Sequence, residues 1–196
     1  MSNNLILQDI TSPHLVRVCR ETHARFKVLH DHQLIIRRGS LRHTTMQAQP
    51  VVDWRFFFPA KRRYRIDICD KTRVNKKIDV RELPEDVLKG WLAHEMGHVV
   101  DYLARGFLDL ARFGLAYLSS RHFRVGAERM ADLYAVEYGF GQDVLATKKF
   151  ILKEAGLPRS YLDRIERFYM SPEELEIILN GDAEEQVTMD KLELPG

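Results

Sequence analysis

A pair of histidines inside a predicted helix constrains the fold more strongly than any other feature of this 196-residue sequence. The helix is predicted to begin near Pro84, which two acidic residues follow, and to end at Gly106. Successive residues of an α-helix are about 100° apart, so His94 and His98 point about 40° apart from the same face. The fold must therefore bring a third group to the point that both imidazole rings can reach.

The segment from His94 to His98 reads H-E-M-G-H, a helical H-E-x-x-H pattern. This pattern is typical of a zinc ion held by the two imidazoles, with the intervening Glu95 beside the ion as a general base. A catalytic zinc site takes a third protein ligand and leaves its fourth position to water. A second element of the fold has to supply that ligand.

Glu128 is the predicted third ligand. It lies in A-E-R-M-A-D, residues 127–132, within a second helix predicted from Ser120 to Tyr138. Glu128 and Asp132 are four residues apart and so share one face of this helix. Asp132 is then placed to accept the free ring N–H of a ligating histidine, which would fix the tautomer and the orientation of that ring.

An H-E-x-x-H segment is followed about thirty residues later by E-x-x-A-D. In this arrangement residues 88–141 resemble the gluzincin metallopeptidases. The resemblance implies Zn²⁺ as cofactor, with His94, His98 and Glu128 as ligands, Glu95 as the catalytic residue and Asp132 behind a ligand. It further implies a zinc-dependent metalloendopeptidase that acts on a peptide or protein substrate. Because the sequence lacks the transmembrane helices of the membrane-bound members, it is more similar to a compact soluble form.

On this interpretation Glu95 takes a proton from a zinc-activated water and passes it to the departing amine. A further side chain should stabilise the oxyanion. The sequence leaves five candidates open for this role: His122, Tyr134, Tyr138, Arg164 and Tyr169. An extended substrate is expected to pair with an edge strand beside the metal. The alternating segment Tyr64–Asp70 is the predicted edge, and a strand without a substrate role is the alternative.

The predicted fold is α+β and zincin-like, with a small, mainly antiparallel sheet on the helix of His94 and His98 and the other helices in an additional layer. An opening helix is predicted from Pro13 to Asp31 after Ser12 as its N-cap. Segments rich in β-branched and aromatic residues predict strands at 33–37, 42–48, 51–58 and 64–70. Later helices are predicted at 142–155, 158–169 and 172–180.

Charge is distributed unevenly along the chain. Residues 171–196 carry eight Asp or Glu and one Lys, a net of −7, which leaves +9 for the rest of a chain whose total is +2. We interpret residues 1–180 as a single metallopeptidase domain and residues 181–196 as a loosely held acidic tail that could fold over the cleft and inhibit it. The basic residues of the body are scattered and form no known nucleic-acid-binding module, so no nucleic-acid partner is expected.

Location is predicted from what the sequence lacks. Cys19 and Cys69 have neither metal-ligand nor redox spacing, and the N-terminal residues do not form a signal peptide. The most apolar stretch, 107–118, is too short to span a bilayer and contains Asp109 and Arg112. We therefore expect a cytoplasmic protein without a membrane span.

A different functional class remains as the alternative: a zinc-binding regulatory or interaction protein that keeps a gluzincin scaffold and cuts no peptide. Glu95 argues against it, because a purely structural zinc site needs no general base.

Overall fold

A four-stranded sheet and six helices form the part of the chain that the computed structural model describes, residues 4–73, 75, 77–153 and 169–181. The strands are β1 (Leu5–Gln8), β2 (Gln33–Arg38), β3 (Met46–Pro50) and β4 (Arg63–Ile68). The helices are α1 (Pro13–Arg25), α2 (Glu85–Leu103), α3 (Phe107–Ser119), α4 (Arg121–Glu137), α5 (Gly141–Lys153) and α6 (172–181). The predicted α+β class is confirmed.

The sheet is mixed, with strand order β1-β2-β4-β3, and the prediction of a mainly antiparallel sheet is wrong. β1 pairs with β2 and β2 pairs with β4 in parallel, whereas β3 and β4 form the antiparallel pair. Two features explain the difference. The sequence interpretation missed β1, and α1 is the crossover that returns the chain in the same direction for β2. β4 then inserts between β2 and β3, so β3 becomes an edge strand.

Several predicted elements are present, one predicted strand is wrong, and one helix was missed. Ser12 caps α1 and Ser120 caps α4, each through its side-chain oxygen, and Gly139 follows α4 with a φ of +80°. The strand predicted at 51–58 is wrong, because the Asp53 carboxylate accepts the Arg55 N–H and starts a short 3₁₀ helix. Helix α3 was not predicted. The helix predicted at 158–169 and the tail beyond residue 181 lie outside the described residues, apart from Tyr169.

Helix α2 is the centre of the structure. Every residue from Gly90 to Tyr102 is buried, between β3 on one side and α1, α4 and α5 on the others. Arg62, itself only 1% exposed, donates from Nη1 to the carbonyl of Arg105 at 3.0 Å just beyond the C-terminal end of α2. A cation at this end is stabilised by the helix dipole and holds α2 against the segment that leads into β4. In the described part of the chain, no helix has the length and apolarity that crossing a bilayer requires.

Two glycines of α2 let neighbouring backbones approach closely. A Cβ atom on Gly97 would lie 2.3 Å from the carbonyl oxygen of Ala131 in α4, and one on Gly90 would lie 2.1 Å from that of Asp143 in α5. Both contacts are with backbone, which cannot move aside as a flexible side chain can. The distance from α2 to α4, and hence the position of Glu128, therefore depends on the absence of a side chain at residue 97.

We predict that Gly97→Ala is destabilising by about 1–3 kcal/mol or more, because the new methyl group overlaps the α4 backbone. Urea unfolding monitored by circular dichroism measures the loss. Gly126→Ala is the matched control: Gly126 is also helical, but a Cβ there meets nothing within 4 Å, so alanine should be neutral or stabilising by roughly 0.5–1 kcal/mol. Equal stability of the two variants would contradict this account of the α2–α4 contact.

Candidate metal centre

Three buried donor atoms converge between α2 and α4. His94 and His98 are 9% and 7% exposed, and Glu128 is 4% exposed. The Oε2 atom of Glu128 is 3.2 Å from His94 Nε2 and 3.5 Å from His98 Nε2, and the three ligand atoms all lie within 4.8 Å of one another. The structure thus brings together the three residues that the sequence predicted as metal ligands.

The spacing of these atoms fits a metal ion. In a tetrahedral zinc site with bonds of about 2.0–2.1 Å, two ligand atoms are about 3.3–3.4 Å apart. The two separations from Glu128 Oε2 agree with that value, whereas 3.5 Å is long for a direct N–H···O hydrogen bond. Two imidazole nitrogens and one carboxylate oxygen also form a donor set that suits zinc. This cluster could therefore hold one Zn²⁺ ion.

Asp132 lies behind His94, as predicted. Its Oδ1 atom is 2.9 Å from His94 Nδ1, so that ring nitrogen donates to the carboxylate and Nε2 is left to face Glu128 and His98. Burial alone would lower the pKa of His94, but hydrogen bonds to Asp132 and Glu128 outweigh burial and raise the pKa above its usual value. A raised pKa favours the form of His94 that is protonated on both ring nitrogens. A metal ion that binds Nε2 must displace the proton there, so metal affinity should fall as the pH decreases.

Lys148 is a functional candidate that the sequence interpretation missed. Its Nζ atom, on α5, donates to Asp132 Oδ2 at 2.7 Å, and the residue is only 7% exposed. Burial would raise the pKa of Asp132, but Lys148 and His94 together hold it below its usual value. A signal was present in the sequence, since Lys148 lies four residues after Val144 and three before Ile151, in the apolar stripe of α5.

Glu95 lies next to the edge strand. It is 6% exposed, and its Oε2 atom accepts the backbone N–H of Ala48 in β3 at 2.6 Å. Burial raises the pKa of Glu95, although the two histidines oppose the shift. A carboxylate with a raised pKa is a better proton acceptor near neutral pH.

The predicted substrate edge, Tyr64–Asp70, is wrong. This segment contains β4, which lies inside the sheet between β2 and β3. β3 is the edge strand that faces α2. Strict alternation indicates which face of a strand is buried, but it does not show which strand ends the sheet.

A cleft of about 860 Å³ opens above the three donor atoms. Tyr117 on α3 lines it and donates from its hydroxyl to Glu128 Oε1, while Tyr169 lines it with its ring centroid 5.8 Å from that of His94. Tyr169 was among the predicted oxyanion candidates, and Tyr117 was missed because α3 was not predicted. Of the other candidates, Arg164 lies outside the described residues. The remaining three are outside the lining of the cleft: His122, Tyr134 and Tyr138.

No protein-family description, characterised protein or solved structure matches this chain.

We predict that Lys148→Met is destabilising by about 3–5 kcal/mol, because it leaves the Asp132 carboxylate buried without its cation. Thermal or urea unfolding of the metal-free protein measures this loss independently of zinc. Lys149→Met is the control from the next position: Lys149 pairs with Glu176 at a half-exposed site, so its loss should cost less than about 1 kcal/mol. A Lys148 variant as stable as the Lys149 variant would show that Asp132 does not need this partner.

Proposed function

We propose that the chain is a zinc-dependent metalloendopeptidase in which His94, His98 and Glu128 hold the metal and Glu95 is the general base. The observation that carries the proposal is the separation of the donor atoms, 3.2 and 3.5 Å from a single carboxylate oxygen, beside a buried glutamate. Asp132 and Lys148 orient the first of the two histidines.

Charge balance supports a divalent cation at this point. When the histidines are neutral, as metal ligation requires, the three buried carboxylates of Glu95, Glu128 and Asp132 are opposed among the described residues by the ammonium group of Lys148. The cluster therefore carries a net charge of −2. Buried charge without compensation is strongly unfavourable, and a bound Zn²⁺ ion would neutralise this set.

Zinc, when bound, would lower the pKa of a water molecule and polarise the scissile carbonyl. The residues of the chain supply the remaining steps. Glu95 accepts a proton from the attacking water and then gives it to the departing amine nitrogen. The Ala48 N–H holds the Glu95 carboxylate at the wall of the cleft. The hydroxyl groups of Tyr117 and Tyr169 are the cleft-lining candidates for stabilising the oxyanion.

The edge strand gives the substrate a place to bind, and this arrangement supports a zincin-like fold as part of the proposal. Thr45 and Val51 bond to β4, so the alternate residues Met46, Ala48 and Pro50 direct their backbone groups away from the sheet. An extended peptide could add itself along this edge. Pro50 has no N–H, the Ala48 N–H donates to Glu95, and the Met46 carbonyl accepts from the Thr44 hydroxyl. The edge therefore offers a substrate the Met46 N–H and the carbonyls of Ala48 and Pro50.

We predict about one zinc ion per chain in the purified parent protein and in the Glu95→Gln variant. The variant should nevertheless hydrolyse peptide roughly 10²–10⁴-fold more slowly than the parent, because it lacks the general base. Glu128→Ala should lose zinc, whereas Glu137→Ala, which alters an exposed carboxylate at the end of α4, should keep it. Mass spectrometry of the bound metal and cleavage of a denatured protein substrate provide the two measurements.

Full zinc occupancy in Glu128→Ala would overturn the ligand assignment. Zinc without any hydrolysis by the parent protein would favour the zinc-binding interaction protein instead.

We further predict that Ala48→Pro lowers kcat by about 10- to 100-fold, since it removes the N–H that positions Glu95. Ala48 does not bond to β4 through this N–H, so the sheet pairing should survive. Ala48→Gly keeps the N–H and is the matched control. Zinc content and circular dichroism should be unchanged in both variants. If the proline variant cleaves substrate as fast as the glycine variant, the strand does not position the base.

A further inference from the structure

Exposed aromatic side chains are concentrated between β3 and β4, on the short 3₁₀ helix Trp54–Phe57 and at Phe58, which links it to a second 3₁₀ helix, Pro59–Lys61. Trp54, Phe57 and Phe58 are 61%, 56% and 53% exposed, and Val52 beside them is 80% exposed. We call these four residues the aromatic patch. Side chains of this size are usually buried, so a cluster of them on the surface marks an interaction site.

Helix α3 continues the apolar surface. Leu108, Leu115 and Leu118 are exposed by 66%, 70% and 77%, and they recur at helical spacing along one side of the helix. We call them the leucine stripe. Leu110 and Phe113 on the opposite side are buried in the core. The helix is therefore apolar on two sides, and the described part of the chain buries only one of them.

The aromatic patch and the leucine stripe meet at the start of α3 and extend to the cleft. The rings of Phe57 and Phe107 have centroids 4.8 Å apart, and Leu108 directly follows Phe107. At the other end, Leu115 and Leu118 line the mouth of the cleft. One apolar surface thus runs from the 3₁₀ helices to the entrance of the candidate active site.

The same surface is basic. Residues 52–63 and 104–125 together contain eight Arg or Lys and two Asp. Arg62 is buried, so the remaining charged residues of these segments carry a net charge of +5. Lys61 and Arg55 lie next to the Trp54 ring, 5.9 and 5.3 Å from its centroid. Cations therefore border the apolar side chains instead of forming a separate patch.

We propose that the aromatic patch and the leucine stripe dock the protein on the surface of an anionic lipid bilayer. Trp, Phe and Leu enter the boundary between head groups and acyl chains, while Lys and Arg beside them pair with anionic head groups. The charge argues against a second copy of the chain as the occupant, because a symmetric contact would bring two positively charged surfaces together. Docking in this orientation would turn the mouth of the cleft toward the bilayer.

Co-sedimentation of the full chain with vesicles tests the proposal. The protein should bind phosphatidylcholine vesicles that contain roughly one third phosphatidylglycerol, bind pure phosphatidylcholine poorly, and release as salt rises. Two double variants test the apolar contribution: Trp54→Ser with Phe58→Ser, and Leu115→Ser with Leu118→Ser. Each should weaken vesicle binding by about tenfold or more, because it removes apolar area that the bilayer would bury. Lys61→Glu with Arg112→Glu should do the same by reversing charge.

Matched controls come from outside the two segments. Ile177→Ser changes an apolar residue that is 72% exposed on α6, and Lys27→Glu changes an exposed cation after α1, so both should bind like the parent. Patch variants that bind as well as Ile177→Ser would overturn the proposal, as would equal affinity for neutral and anionic vesicles. Lipid-free self-association that the leucine variants abolish would instead assign the surface to a second copy. Vesicle binding needs neither zinc nor hydrolysis, so this result is independent of the proposed enzymatic function.

Discussion

The close contact between α2 and α4 at Gly97 is the constraint on which the candidate site depends. The two histidines of α2 can only share a ligand with α4 if the helix axes are near enough for the short side chain of Glu128 to reach both rings. The backbone carbonyl of Ala131 occupies the space that a Cβ at position 97 would need. Glycine at position 97, which the H-E-x-x-H pattern leaves unspecified, is thus a packing requirement of the candidate metal centre.

Burial of this contact has an electrostatic consequence. Because residues 90–102 of α2 are buried, each ionisable group in that stretch must find a partner within the protein. Asp101 pairs with Arg105, and His94 pairs with Asp132, which in turn pairs with Lys148. Glu95 and Glu128 keep the excess negative charge, and they face the same cleft. When both histidines are neutral, as metal ligation requires, this excess would favour a cation at the same point.

Helical periodicity predicted which four residues of the candidate site lie together, because they are on two regular helices. His94 with His98, and Glu128 with Asp132, are separated by four residues, which defines a shared face without knowledge of the tertiary structure. Strand order and direction depend on long-range pairing, so the edge strand and the parallel pairs were predicted incorrectly. Lys148 was missed because a lysine is usually solvated, and only the position of Asp132 shows why one is buried in α5.

Helix α3 links the apolar surface to the candidate metal centre. Tyr117 points inward and donates to Oε1 of Glu128, while the adjacent Leu118 is 77% exposed on the other side of the helix. The outer oxygen of the carboxylate is thus held by the same short helix that carries the leucine stripe. A surface that orders α3 would also restrain Tyr117 and, through it, the orientation of Glu128 toward the two histidines. The helix would then couple what binds outside the cleft to the geometry of the ligands inside it.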